Sequence, residues 1–224
     1  MAGSTLKDGI HRQLLEMIVS GRLQPGEKLG EIRLAEEMGV SRTPIREAIR
    51  HLSEEGFVEY HAHCGARVII PTHQAVREMF QIREALEGIA AREAALRIPA
   101  GRLDALRRLF EELRPRVLAG DVSDVGDLIH GETFEACGNQ TLGRLMSVYR
   151  LKIAWFQRLA SSAPGRLAHA FREHDGILSA LESRDGEWAE SVARAHVRNT
   201  LADLLSCLDQ PAAGAAETAI GSDR

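Results

Sequence analysis

The sequence predicts a mainly α-helical protein in two parts: an N-terminal winged helix-turn-helix followed by an antiparallel, all-helical bundle. Three observations carry this. Leu, Ala, Glu and Arg dominate the 224 residues, aromatics make up only 4%, and β-branched runs are scarce, a balance that favours helix. Apolar residues recur at helical spacing over most of the chain. Only between residues 57 and 70 does that period give way to two short runs around a glycine, which read as a hairpin.

The elements follow in order. Leu6, Ile10, Leu14, Met17 and Ile18 place a first helix over residues 5–20, with Gly21 as its stop. Leu23-Gln24-Pro25-Gly26 is a turn, in which proline presets φ and glycine supplies the reversal. A second helix spans about 31–38, with Leu34, Ala35 and Met38 on one face, and ends at Gly39 in a position that calls for positive φ. Ser41 is placed to cap a third helix. Pro44 is tolerated there because the first-turn N–H groups have no helical acceptor to lose. After Gly56, Phe57–Tyr60 and Arg67–Ile70 read as strands, and Gly65 supplies the reversal between them.

Pro71 marks the expected boundary, so that residues 1–71 form the first domain, 72–210 the second, and 211–224, beginning Pro-Ala-Ala-Gly-Ala-Ala, a disordered tail. Val76, Met79, Phe80, Leu86, Ile89 and Ala90 make one helical stripe; Leu103, Leu106, Leu109, Phe110 and Leu113 make the next. Pro99-Ala100-Gly101 breaks the chain between them, and Pro115 is expected to end or kink the second. Further helices are predicted at about 122–137, 140–162, 166–183 and 187–208, punctuated by Gly120, Gly138, Gly165 and Gly186. Short turns between helices of this length favour a bundle.

Composition narrows the function classes. Cys64, Cys137 and Cys207 are odd in number and far apart, so neither a disulfide framework nor a cysteine zinc site is indicated. There is no signal-peptide pattern and no apolar run near 18 residues, so the expectation is a cytoplasmic protein with no membrane partner. Formal net charge is −4, and residues 1–72 hold nine Lys/Arg against ten Asp/Glu. Bulk electrostatics therefore does not argue for a nucleic-acid partner, and any such case rests on where the cations sit.

They sit on the third helix. Arg42, Arg46 and Arg50 follow one another at i, i+4 and i+8, within an arc of about 80°. Thr43 extends this polar face, while Ile45, Ala48, Ile49 and Leu52 occupy the neighbouring arc. A helix so built buries one side in its own domain and presents arginines to an anion.

The stretch SGRLQPGEKL followed by RLAEEMGVSRTPIREAIRHLSEEGFV resembles the DNA-binding domain of GntR-type transcriptional regulators over residues 5–70. QIREALEGIAAREAA, IHGETFEACGN, EHDGILSALESRDGEWA and ARAHVRNTL are similar to the FCD ligand-binding domain of the FadR-like branch. The resemblance implies a homodimer that binds an inverted-repeat operator in double-stranded DNA and is controlled by a small organic-acid effector, with repression the commoner behaviour. It implies contacts to DNA from Arg42, Thr43, Arg46 and the wing around Gly65, with His63 a weaker wing candidate and Arg50 a phosphate contact. Many relatives carry Arg directly after the Glu that opens the second helix; here that place is Ile32, and no base-contacting role is carried over to Arg33.

The resemblance also implies a divalent metal, zinc or nickel, held by His130, His174 and His196. The family's Asp four residues before the first histidine is Gly126 here, which leaves Asp127, at i−3, as the substitute. Arg83 resembles an inward-facing family arginine and is the effector-binding candidate; an ion pair with Glu84 or Glu87 is the alternative. A metal-dependent hydrolase built on the same histidines is the rival from another class. It has neither HExxH nor GxSxG to support it, Glu173 is the only carboxylate to nominate as base, and it leaves the N-terminal domain without a role. A plain dimerisation module with a vestigial pocket is the third reading.

Overall fold

The computed structural model describes residues 6–61, 65–119, 125–160 and 166–209. It forms two compact units, Met1–Thr72 with Arg150–Arg158, and His73–Tyr149 with Leu159–Arg224. Residues 62–64, 120–124, 161–165 and the expected tail at 211–224 lie outside the described residues.

In the first unit, α1 (Leu6–Val19), α2 (Glu31–Met38) and α3 (Arg42–Glu54) precede an antiparallel hairpin of β1 (Val58–His61) and β2 (Gly65–Val68). The inward stripes predicted for the helices form the core: Ile10, Leu14 and Ile18 of α1, Leu34 and Ala35 of α2, and Ile45, Ala48, Ile49 and Leu52 of α3 are all buried. Gly39 ends α2 at φ 65, the left-handed conformation that closes a helix without a Cβ clash. Ser41 stands at the N-cap of α3, but its side chain makes no capping hydrogen bond. The residue is exposed, and an exposed helix start can leave its first-turn N–H groups to solvent.

The hairpin is displaced from its predicted limits. β1 begins one residue later than expected and β2 two residues earlier, although the carbonyl of the buried Phe57 still accepts from Ile69 N at 3.0 Å. Register runs from Val58↔Val68 to His61↔Gly65, with Gly65 at φ 81 where the chain reverses. The segment before α2 joins the wing through a bridge between Lys28 and Arg67, and Arg67 Nη1 donates to Gly26 O at 2.8 Å.

The second unit is helical: α4 (His73–Arg97), α5 (Ala100–Leu118), α6 (Val125–Ala136), α7 (Gln140–Ala160), α8 (Arg166–Glu182) and α9 (Gly186–Leu208). Ala90, Ala91, Ala94 and Ala95 of α4 share one core with Ala189 and Ala193 of α9, and small side chains let helices approach closely. Phe110 of α5 stacks on Phe171 of α8, ring centres 4.1 Å apart. Among the described residues no helix is long and apolar enough to cross a membrane.

Two expectations need correction. Pro115 does not end α5, which continues to Leu118; it lies in the last turn, where a proline costs one i→i−4 bond and little continuing helix. Ile89, placed on the inward stripe of α4, is exposed, and Arg83 and Glu87 are buried instead. The helix expected over 140–162 forms as α7, and its Arg150–Arg158 stretch packs with the first unit. Trp155 and Phe156 are both 1% exposed, and Trp155 packs 5.7 Å from the ring of Phe57. The packing of Trp155 on Phe57 ties that segment to the first unit.

Candidate functional site

The third helix divides as its sequence dictates. Ile45, Ala48, Ile49 and Leu52 are buried, while Arg42, Thr43, Arg46 and Arg50 are exposed. Arg42 and Arg46 line one concavity with Gly65, Tyr60 and Ile32. His63 falls outside the described residues.

The arginines are not free in solution. Glu31, the first residue of α2, accepts from Arg46 Nε at 3.1 Å and Nη2 at 2.9 Å, and from Arg42 Nη2 at 3.4 Å. The hydrogen bond from Arg46 holds the Glu31 carboxyl below its ordinary range, and the same bond raises Arg46. Arg50 pairs instead with Glu54 at 2.7 Å and Glu47 at 3.5 Å. Sequence reasoning misses Glu31, because nothing in linear spacing brings residue 31 beside residues 42 and 46.

A phosphate or base edge approaching these guanidinium groups would compete with that carboxylate. Glu31→Gln is therefore expected to tighten binding to a random duplex several-fold and to steepen the slope of log K against log salt by about one. Titrations of parent and variant at several salt concentrations measure both. An unchanged random-duplex affinity would show that Glu31 does not restrain the guanidinium groups.

In the second unit, α6, α8 and α9 bring His130, His174 and His196 together, with ligand atoms all within 4.8 Å of one another. The Nε2 atoms of His130 and His174 are 3.3 Å apart. His196 Nδ1 donates to Glu173 Oε2 at 2.9 Å, while its Nε2 is buried without a partner. His130 Nδ1 lies 3.0 Å from Glu87 Oε2. Two imidazoles thus turn Nδ1 to a carboxylate and Nε2 toward the cluster, the arrangement that orients a histidine as a metal ligand. Burial pushes His174 well below its ordinary value, and the neighbouring histidines push it further. Burial lowers His196 to about 4, against the hydrogen bond to Glu173. Both are neutral at pH 7, the form a divalent ion requires. The three donors fit a metal ion.

Asp127 does not join them. It is exposed, and the helix turns position 126 toward the cluster instead: a Cβ there would lie 3.0 Å from His174 Cε1 and 3.3 Å from Nε2. One residue is 100° of helical rotation, enough to carry the carboxylate off the site.

Arg83 is 2% exposed and beside the cluster, its Nη2 3.5 Å from His130 Nε2. Its Nε donates to Glu87 Oε1 at 2.6 Å, and Nη1 is buried with no partner. Glu84, the other expected partner, pairs with Arg198 at 2.8 Å. Burial pushes the Glu87 carboxyl up, but Arg83 and His130 outweigh it and hold it well below the usual carboxylate range. The roles of Glu87 and Glu173 as carriers of the histidines also escape sequence reasoning. The only signals are Glu173 beside His174 and Glu87 one turn from Arg83.

Comparison with known proteins identifies both parts of the chain. Residues 6–68 match the model of the "Bacterial regulatory proteins, gntR family", and residues 78–199 match the FCD domain. The chain is 31% identical over 197 residues to a Paenarthrobacter nicotinovorans protein named "Probable D-xylose utilization operon transcriptional repressor", covering 87% of this chain and 86% of that one. It is 27% identical over 194 residues to the Nta operon transcriptional regulator of Aminobacter aminovorans, covering 86% and 91%. The solved structure of E. coli McbR/YncC, 22% identical, superposes with a TM-score of 0.72 over 90% of this chain and 98% of that one, a likeness of fold. None of this supports a hydrolase. The chain belongs to the GntR family of DNA-binding transcriptional regulators, with a winged helix-turn-helix domain and an FCD effector domain.

Proposed function

We propose that the protein is a cytoplasmic, homodimeric repressor that binds an inverted-repeat operator and responds to a small organic acid, with a divalent metal assisting. The observation that carries the DNA reading is the division of α3 into a buried apolar face and an exposed face of Arg42, Thr43, Arg46 and Arg50. Such a helix fits the major groove, where Arg42 and Arg46 reach base edges, Arg50 and Thr43 reach the backbone, and the wing at Gly65 grips the flank. Ile82, Ile89 and Leu96, exposed at i, i+7 and i+14 along α4, support a second copy as partner. Two copies suit a repeated half-site.

His130, His174 and His196 are the residues that would hold the metal, and neutral imidazoles suit zinc or nickel. A bound divalent ion supplies a Lewis-acidic position open to a carboxylate. The buried, unpartnered Nη1 of Arg83 supplies a cation for the same ligand. For such binding to regulate, the effector must bind the DNA-competent form and its alternative with unequal affinity.

Elemental analysis of full-length protein prepared without a histidine tag tests the metal reading. About one zinc or nickel per chain is expected, falling to a small fraction in His174→Ala. Metal that stays substoichiometric, or that His174→Ala leaves unchanged, overturns it.

A further inference from the structure

The surface that carries Arg42 and Arg46 also carries a large apolar side chain that lies outside the core. Ile32, second residue of α2, is 57% exposed. α2 turns Leu34 and Ala35 into the core and leaves Ile32 outside it. A single exposed isoleucine needs no explanation by itself. This one is set in the concavity formed by Arg42, Arg46, Tyr60 and Gly65, beside the two arginines proposed above to reach base edges.

Isoleucine has neither donor nor acceptor, so it cannot pair with the polar edge of a base, and beside a phosphate it would only displace water that the phosphate needs. The major groove presents one apolar group, the C5-methyl of thymine. The two flanking arginines offer the complementary chemistry, bidentate donation to guanine O6 and N7.

We propose that Ile32 is a specificity-determining residue that packs against the C5-methyl of a thymine in each half-site, beside the base pairs read by Arg42 and Arg46. Truncating Ile32 leaves no polar group unpaired, so the residue shapes sequence preference more than total affinity. Because Ile32 is exposed and outside the core, its truncation leaves folding intact.

The inference rests on the reading that α3 enters the major groove, and the test separates the two. Full-length parent and Ile32→Ala are each used to select duplexes from a randomised pool. The parent is expected to enrich a half-site with one invariant T·A pair that Ile32→Ala no longer distinguishes, the remaining positions being unchanged. In the parent-selected duplex, deoxyuridine then replaces that thymidine in one half-site, removing only the methyl group. Parent affinity should fall about fourfold, the worth of one buried methyl, and that of Ile32→Ala should not change. If the parent enriches no half-site, the reading of α3 fails and Ile32 with it. If it enriches one that Ile32→Ala enriches identically, or if deoxyuridine affects both proteins equally, α3 still reads DNA and the role of Ile32 is overturned.

Discussion

Arg46→Ala is expected to weaken operator binding by about 1–3 kcal/mol, roughly five- to 150-fold, while affinity for a random duplex falls much less. The asymmetry is the informative part. Arg46 lies on the exposed arc of α3 one turn beyond Arg42, and Glu31 occupies its Nε and Nη2 until DNA takes their place. Once the carboxylate is displaced, the freed fork can meet the O6 and N7 of guanine, and its removal leaves two base acceptors without donors. An arginine that gripped only phosphate would, when removed, cost the same on every sequence. Mobility shifts on the region upstream of the chain's own gene, against random duplex, distinguish these; equal losses on both would reduce Arg46 to a backbone contact. Arg50→Ala is the internal comparison, expected to weaken both duplexes alike and to flatten the salt slope by about one.

Arg83→Ala is expected to destabilise the protein by about 3–5 kcal/mol, read from the denaturant midpoint of the full chain. Glu87 is 5% exposed, and Arg83 supplies its closest cation, at 2.6 Å. Removing Arg83 leaves the Glu87 charge only the His130 imidazole, 3.0 Å away, in a medium that solvates it poorly. The companion variant Arg83→Met with Glu87→Leu removes both charges while keeping volume, and most of the lost stability should return. A loss below about 1 kcal/mol in the single variant would mean that the pair contributes nothing net at this site. The pair is costly to keep merely for stability, since apolar residues of the same size would serve as well. Its place beside three histidines, with Nη1 of Arg83 left without a partner, is what supports the proposed role in ligand binding.

Much of this was legible in the order of residues. The 3.6-residue period of Ile45, Ala48, Ile49 and Leu52 sets the buried face of α3, and by exclusion the exposed face that carries Arg42, Arg46 and Arg50. Gly39 and Gly65 mark the left-handed turns because only a residue without Cβ enters them at no cost. The resemblance supplied the three histidines as a set, which helical periodicity could not have joined, since they lie on three separate helices.

What linear order could not decide has one physical cause: it concerns contacts between elements and the rotation of one helix against another. Rotation by a single residue separates Gly126, which faces His174, from Asp127, which faces solvent, and so removes a carboxylate that spacing alone allowed as a ligand. The same kind of rotation puts Ile89 outside α4 and Arg83 and Glu87 inside it, against their hydropathy. Long-range packing seats Glu31 between Arg42 and Arg46 and places Glu173 on His196. The sequence by itself determined the helices, the wing and the arginine face, because these depend on local periodicity and backbone freedom. Which buried charges stand beside the histidines, and which side chains restrain the arginines, was decided only when the helices packed.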